Sequence, residues 1–287
     1  MAIKFDVKST TNLFVAVAVV AVILMLIIPL PTVLLDFLMA CNVLLSVLII
    51  LITLYTPKST DFSTFPTILL VSTVFSLALN VSSTRLILSK GSDFDGKMVT
   101  AFGEFVVGSG GAEGLLIGIV IFIILIAVQV AVITKGATRI AEVQARFTLD
   151  GMPNKLMAVD AEFNSGAITE EIAKQRKQEI QKEVDFYSSM DGASKFISGS
   201  VKVGIFITVI NLVVGIIFGM VLHGEPFSQA ITTYAKFTIG DGLLSQIPSL
   251  LISVATGLIV TRSANDEKSS LGEDIKKDFT QNAMIYY

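Results

Sequence analysis

The sequence predicts an all-α polytopic membrane protein with about six transmembrane helices and a small cytoplasmic insertion between helices four and five. Two compositional observations and one pattern predict it. Of 287 residues, 53% are hydrophobic and only 16% are charged, whereas a soluble domain carries about 25% charge. Mean hydropathy is +0.76. Six uncharged apolar runs approach the roughly 20 residues needed to cross a hydrocarbon core. Too little polar surface is present to coat a water-soluble globule, which argues against a cytosolic enzyme, a nucleic-acid binder and a disordered chain. The net charge of −3 gives no reason to expect a polyanionic partner. One cysteine, Cys41, and one histidine, His223, exclude an internal disulfide and a Cys/His zinc cage. Neither a metal nor another cofactor is expected. With no Gly-rich phosphate cradle and no Ser/His/Asp trio, an enzyme is the weakest class.

The first span is read over 12–30 and the second over 37–55, with Asp36 at its mouth. Pro29-Leu30-Pro31 between them cannot continue a helix and predicts a tight hairpin. The third span, 62–84, is rich in Ser and Thr; the fourth is 115–134, the fifth 203–222 and the sixth 242–260. The opening apolar run is too long for a signal peptide and lacks a small-residue cleavage site. The amides Asn42, Asn80, Gln129, Asn211 and Gln246 are predicted to face other helices or water, since unpaired amides are costly in hydrocarbon. Gly114-x-x-x-Gly118 and Gly215-x-x-x-Gly219 suit close helix packing.

Lysine and arginine placement orients the chain. With a cytoplasmic N-terminus, sixteen basic residues lie inside and four (Arg85, Lys90, Lys97, Lys236) outside, with Lys202 at the inner boundary. The N-terminus, the 135–200 segment and the C-terminal tail are therefore expected in the cytoplasm. The domain reading follows: spans one to four in 1–134, the cytoplasmic insertion in 135–200, spans five and six in 201–262, and a polar tail in 263–287.

Within the insertion, Thr169 is predicted to cap a helix opening with Glu170 and Glu171 and running to about Tyr187. Ile172, Ile180, Val184 and Tyr187 would form its apolar face. Asp160-x-Glu162-x-Asn164 imitates a calcium loop, but its glycine, Gly166, falls one residue late. His223, beside Gly224 and Glu225 in a short outer loop, reads as solvated.

The insertion also carries a resemblance. RIAEVQARFTLDGMPNKLMAVDAE (139–162) closely resembles the signature of the FHIPEP family, the export-gate proteins of flagellar and injectisome type III secretion. ALNVSSTRLIL (78–88), AFGEFVVG (101–108), ITKG (133–136), DFYSSMDGASKF (185–196) and TIGDGLLSQIPSLLIS with GLIVTR (238–262) extend it along the chain. The glycine of Asp150-Gly151-Met152-Pro153 looks more flagellar than injectisome. The resemblance implies a homo-oligomeric ring, nonameric in the family, in the bacterial inner membrane beside other export-apparatus membrane proteins. It further implies coupling of the proton motive force to protein secretion. Two more spans and a large cytosolic domain that docks chaperones and exported flagellar proteins are implied beyond Tyr287, so the chain is expected to be a piece of a longer protein. Membrane lipid is an expected partner; nucleic acid is not.

The departures shift attention among residues. Relatives commonly carry an aspartate, implicated in proton coupling, where this chain has Ser200, and many carry an arginine where it has Ser76. Serine cannot store and release a proton near neutral pH. Asp241, at the entrance to span six between Gly240 and Gly242, becomes the leading candidate for proton coupling. Its alternative role is to cap that helix. Arg139, Arg146 and Asp150 at the inner mouth of span four, Lys195 before span five, and Arg85 are candidate gate or coupling charges. Against the proton-coupled gate stand a structural ring scaffold without its own proton pathway, an injectisome homologue, and an ion-coupled small-solute carrier.

Overall fold

The computed structural model describes residues 7–108 and 111–262, together with residues 272, 276, 277, 279 and 280 of the tail. Most of the predicted polar tail lies outside the described residues. Among the described residues eight α-helices follow one another: α1 (Val7–Met25), α2 (Thr32–Tyr55), α3 (Phe65–Lys90), α4 (Lys97–Val107), α5 (Gly111–Gln129), α6 (Thr138–Asn164), α7 (Glu170–Val221) and α8 (Phe227–Thr261). No strand occurs among the described residues. Among the described residues five helical stretches are long and apolar enough to cross a membrane, and α1 contributes a shorter apolar run, Ala16–Met25.

Two compact units emerge. The first comprises residues 1–45, 71–129 and 200–249, and the second 46–70, 130–199 and 250–287.

In the first unit, α1 ends earlier than expected, at Met25, because its last carbonyls are taken by side chains of α3. Ser82 Oγ donates to the Met25 carbonyl at 3.0 Å, and the Arg85 guanidinium donates to those of Ile27 and Leu26 at 2.7 and 3.2 Å. The Pro29-Leu30-Pro31 turn then delivers the chain to Thr32, where α2 begins. Helix α4 lies outside the six predicted spans. Its signal is the i, i+4, i+8 spacing of buried Val99, Gly103 and Val107. Asp36, one turn inside α2, caps it by accepting the Lys97 and Met98 backbone N–H groups at 2.9 and 3.0 Å. Asp36→Ala is expected to destabilise the unit by about 1 kcal/mol, the usual size of a lost N-cap. A lower thermal midpoint in detergent, largely restored by Asp36→Asn, checks this.

The glycine pairs do two different things. Gly215 and Gly219 form a seat for the Tyr234 ring: a Cβ on Gly219 would lie 2.6 Å from Tyr234 Cε2. Gly118 admits Val107, whose Cγ2 would lie 3.0 Å from an added Cβ. Around these seats pack Leu35, Leu79, Ile87, Phe94, Tyr234 and Phe237, all buried. The predicted inward amides are buried too: Asn42, Asn80 and Asn211 here, and Gln129 at the end of α5. By contrast Ile117, Val120 and Ile124 of α5 are exposed, as a lipid-facing surface requires.

The second unit contains the insertion. A π-helical stretch, Val130–Ala137, joins α5 to α6 without a loop, the wider turn accommodating extra residues inside a continuing helix. Helix α6 passes through Gly151 and Pro153, then turns at Gly166, whose φ of 77° glycine alone adopts cheaply. Thr169 Oγ1 accepts the Ile172 N–H at 3.4 Å at the start of α7. That helix does not stop near Tyr187. It continues for 52 residues to Val221, and no proline interrupts that sequence. The apolar face is also shifted at its start: Ala173 is buried with Val184 and Tyr187, while Ile172 is exposed.

Helices α6 and α7 form an antiparallel hairpin. Lys155 meets Glu183 at 2.7 Å, Lys177 meets Asp160 at 2.6 Å, and Arg176 meets Glu162. These pairs are part-exposed and each is worth at most about 1 kcal/mol, so they set register more than stability. They also commit both carboxylates of the calcium-loop imitation, which lie on a helix. Elsewhere in this unit Ser59 and Tyr187 share a buried hydrogen bond of 3.1 Å, and Arg262 donates to the Thr56 carbonyl.

Candidate functional site

Among the buried polar residues in the apolar part of the first unit is an acid. Asp241 is 3% exposed on α8. Ser83 of α3 donates its hydroxyl to Oδ1, and Asn211 of α7 donates Nδ2 to Oδ2 at 3.1 Å. The flanking glycines explain why Asp241 points there. Gly240 lies against the α4 backbone, where a Cβ would overlap the Val99 carbonyl and stand 2.9 Å from Gly103 N. Gly242 lies against the Phe122 ring of α5, 2.6 Å from Cε2 to an added Cβ. With both neighbours pressed against α4 and α5, the carboxylate is left to face α3 and α7.

Asp241 is therefore no helix cap. The sequence placed it at the entrance to a helix, but α8 begins at Phe227, four turns earlier. Both its hydrogen-bond partners are neutral donors. Asn211 Oδ1 is buried without a partner, so a half-turn of that amide would replace a donor by an acceptor and suit the protonated acid as well. The pocket can thus satisfy either protonation state without moving a helix.

A cavity of about 10 Å³ adjoins the carboxylate, lined by Met39, Asn42, Ser76, Leu79, Asn80, Asp241, Leu244 and Ser245. It is large enough for about one water. Asn42 Nδ2 donates to Ser76 Oγ at 3.4 Å on its wall. Ser83, the residue sequence reasoning missed, shares a helix face with two residues named on other grounds: Ser76, Asn80 and Ser83 recur at i, i+4 and i+7 along the Ser- and Thr-rich α3.

The remaining candidates divide. Arg139 and Arg146 both reach Glu142, at 3.1 and 3.6 Å, within α6. Lys195 pairs with Asp191 at 2.7 Å on α7, and its charge is also felt by Glu142 and Arg146. These groups form one mixed-charge cluster in the second unit. Asp150 is exposed on α6 and belongs to no ion pair among the described residues. Arg85 caps the end of α1. Ser76 belongs to the cavity wall, and Ser200, half-buried, lies on α7. No group of His, Cys, Asp and Glu suited to a metal occurs among the described residues.

Comparison with known proteins gives a consistent result. The FHIPEP family model matches residues 22–287. The chain is 56% identical to the flagellar biosynthesis protein FlhA of Treponema pallidum over 97% of its own length and 39% of that protein. It is 55% identical to FlhA of Borreliella burgdorferi over 98% of itself and 40% of that protein, and 48% identical to FlhA of Salmonella typhimurium over 94% and 38%. The chain spans about two fifths of the length of these curated relatives. No solved structure matches it.

Proposed function

The chain belongs to the FHIPEP family, and from that membership we propose that it is the membrane region of a flagellar type III export gate that couples proton movement to protein secretion. The observation that carries the coupling is Asp241, a carboxylate buried in the apolar part of a membrane protein and held by neutral donors alone. Intramembrane acids are costly and mark proton or ion pathways. The proposed setting is the bacterial inner membrane, with the N-terminus and the α6–α7 hairpin in the cytoplasm, in agreement with the lysine and arginine bias. Assembly as a homo-oligomeric ring, contact with other export-apparatus proteins, and docking of exported proteins and chaperones by the part of the relatives beyond this chain complete the proposal.

A scaffold reading rests on Ser200 and Ser76, where relatives commonly carry opposite charges. The helices bearing them run parallel: Ser83 and Asn211 both serve Asp241, and Asn80 Nδ2 is 3.8 Å from a Cβ added to Gly204. Ser76 and Ser200 stand one turn back from that contact on their respective helices. Ser200→Asp alone is expected to lower the amount of protein in the membrane, since Ser200 is half-buried and an unpaired carboxylate there loses part of its solvation. Ser76→Arg with Ser200→Asp is expected to restore it. Quantified membrane levels of the single and double variants measure the coupling, and additive losses would mean that the two positions do not communicate.

The deciding experiment is secretion and motility of cells carrying the full-length protein with Asp241→Asn, with membrane level and ring assembly measured in parallel. Lost export from an intact ring supports proton coupling at Asp241. Normal export would remove the role from this residue and leave the scaffold reading.

A further inference from the structure

At the α7–α8 end of the first unit lies a second group of titratable side chains, apart from Asp241. Glu225 is 8% exposed, and neither of its carboxylate oxygens has a hydrogen-bond partner among the described residues. Its Oε2 would lie 3.0 Å from a Cβ on Gly219, the same glycine that seats the Tyr234 ring. The Tyr234 hydroxyl is likewise buried and unpartnered. It lies 2.9 Å from the point a Cβ on Gly91 would occupy, and His223 Nε2 lies 2.9 Å from that point as well. His223 itself is exposed in the loop. An imidazole in contact with solvent, a phenol and a shielded carboxylate are thus gathered around Gly91 and Gly219. The one nearby cation of α3, Lys90, is committed to Asp95 at 2.6 Å, a bond that holds the Asp95 carboxyl below its usual range.

Below this group α8 carries a stripe of polar residues. Tyr234, Thr238, Asp241 and Ser245 recur at spacings of four, three and four, within about 60° of the helix circumference. Thr238 is 3% exposed, and its Oγ1 has no hydrogen-bond partner among the described residues. Threonine in a membrane helix ordinarily returns its hydroxyl to the preceding turn, as Thr256 does to Ile252 at 2.8 Å. Thr238 keeps its hydroxyl free, midway between the Tyr234 cluster and Asp241.

We infer that His223, Glu225 and Tyr234 form a proton-entry site, and that protons pass from it along the Tyr234–Thr238 stripe to Asp241. The inference rests on the reading of Asp241 as the proton-coupling group and on the orientation that puts the α7–α8 loop outside. A proton arriving from solution at His223 is passed to the Glu225 carboxylate. Each hydroxyl on the way, with bridging water, accepts one proton and gives up another, so that Asp241 gains one and the relay is restored.

The test uses the full-length protein in cells, with export measured at external pH values from about 6 to 8 and membrane levels verified. Glu225→Gln, Tyr234→Phe and Thr238→Val keep size and remove the proton-handling atom. Each is expected to slow export several-fold at pH 8 with normal protein level. The deficit should shrink at pH 6, because a higher proton concentration offsets a slower entry step, and Glu225→Asp should restore most of the rate. A packing defect would show no such recovery. Wild-type export from all three variants across the range, with Asp241→Asn inactive, overturns the entry path and leaves the role of Asp241 intact. Normal export from Asp241→Asn overturns that role and the path with it.

Discussion

Full-length protein carrying Asp241→Asn is expected to reach the membrane at the normal level and to lose export on the order of 10²-fold or more, the size typical of removing an essential proton-transfer group. The expectation of normal folding comes from the pocket itself. Asparagine has the shape of aspartate, its Oδ1 can still accept the Ser83 hydroxyl, and its amide N–H can donate to Asn211 Oδ1, which has no other partner. Two buried hydrogen bonds are kept while the exchangeable proton is lost. Asp241→Glu retains the proton but adds a methylene beside a cavity of about 10 Å³. Overpacking of this kind costs about 1–3 kcal/mol. That variant is expected to keep measurable export at a reduced membrane level. Comparing export per molecule of membrane-inserted protein in the two variants separates the chemistry from the packing.

Gly240→Ala is expected to be the more damaging change to the fold, although it adds one methyl group. The new Cβ would overlap the Val99 carbonyl and approach Gly103 N at 2.9 Å. Both obstacles are backbone, so no rotamer change relieves them and α4 must move as a body. From the other side, a Cβ on Gly103 would stand 2.6 Å from the Lys236 carbonyl, so this crossing of α4 and α8 leaves room for a Cβ on neither helix. The expected loss is at least the roughly 1–3 kcal/mol of an overpacked core. It should appear as a lower thermal midpoint in detergent and a smaller membrane-inserted fraction. Gly204→Ala is the matched comparison: its Cβ would meet only Asn80 Nδ2, at 3.8 Å, an ordinary contact. It should be tolerated, since alanine is favoured over glycine within a helix. Equal behaviour of the two variants would show that the α4–α8 approach does not constrain the fold.

Much of this protein can be read from order along the chain. The apolar runs, the proline turn before Thr32, the Thr169 cap and the inward Asn42, Asn80 and Asn211 all follow from local chemistry and the intolerance of hydrocarbon for unpaired polar groups. The extent of helices is less legible, because nothing in the polar sequence of 170–200 announces that it will continue unbroken into span five. A helix stops only where a breaker or a competing partner intervenes. Helix α4 was overlooked for a related reason: eleven residues are too few for a span, and its start is secured by Asp36, 61 positions earlier.

An all-α membrane protein is legible in composition and run length, and the family in residue order through its resemblance. The partners of the charged residues come from tertiary structure. The Arg85 guanidinium reaches the Ile27 carbonyl just beyond α1, and Arg139 and Arg146 meet on Glu142. Asp241 was moved from the mouth of a helix to the meeting point of α3, α7 and α8. A side chain's chemistry is written at its own position, but its partners are supplied by helices that pack beside it from distant parts of the chain.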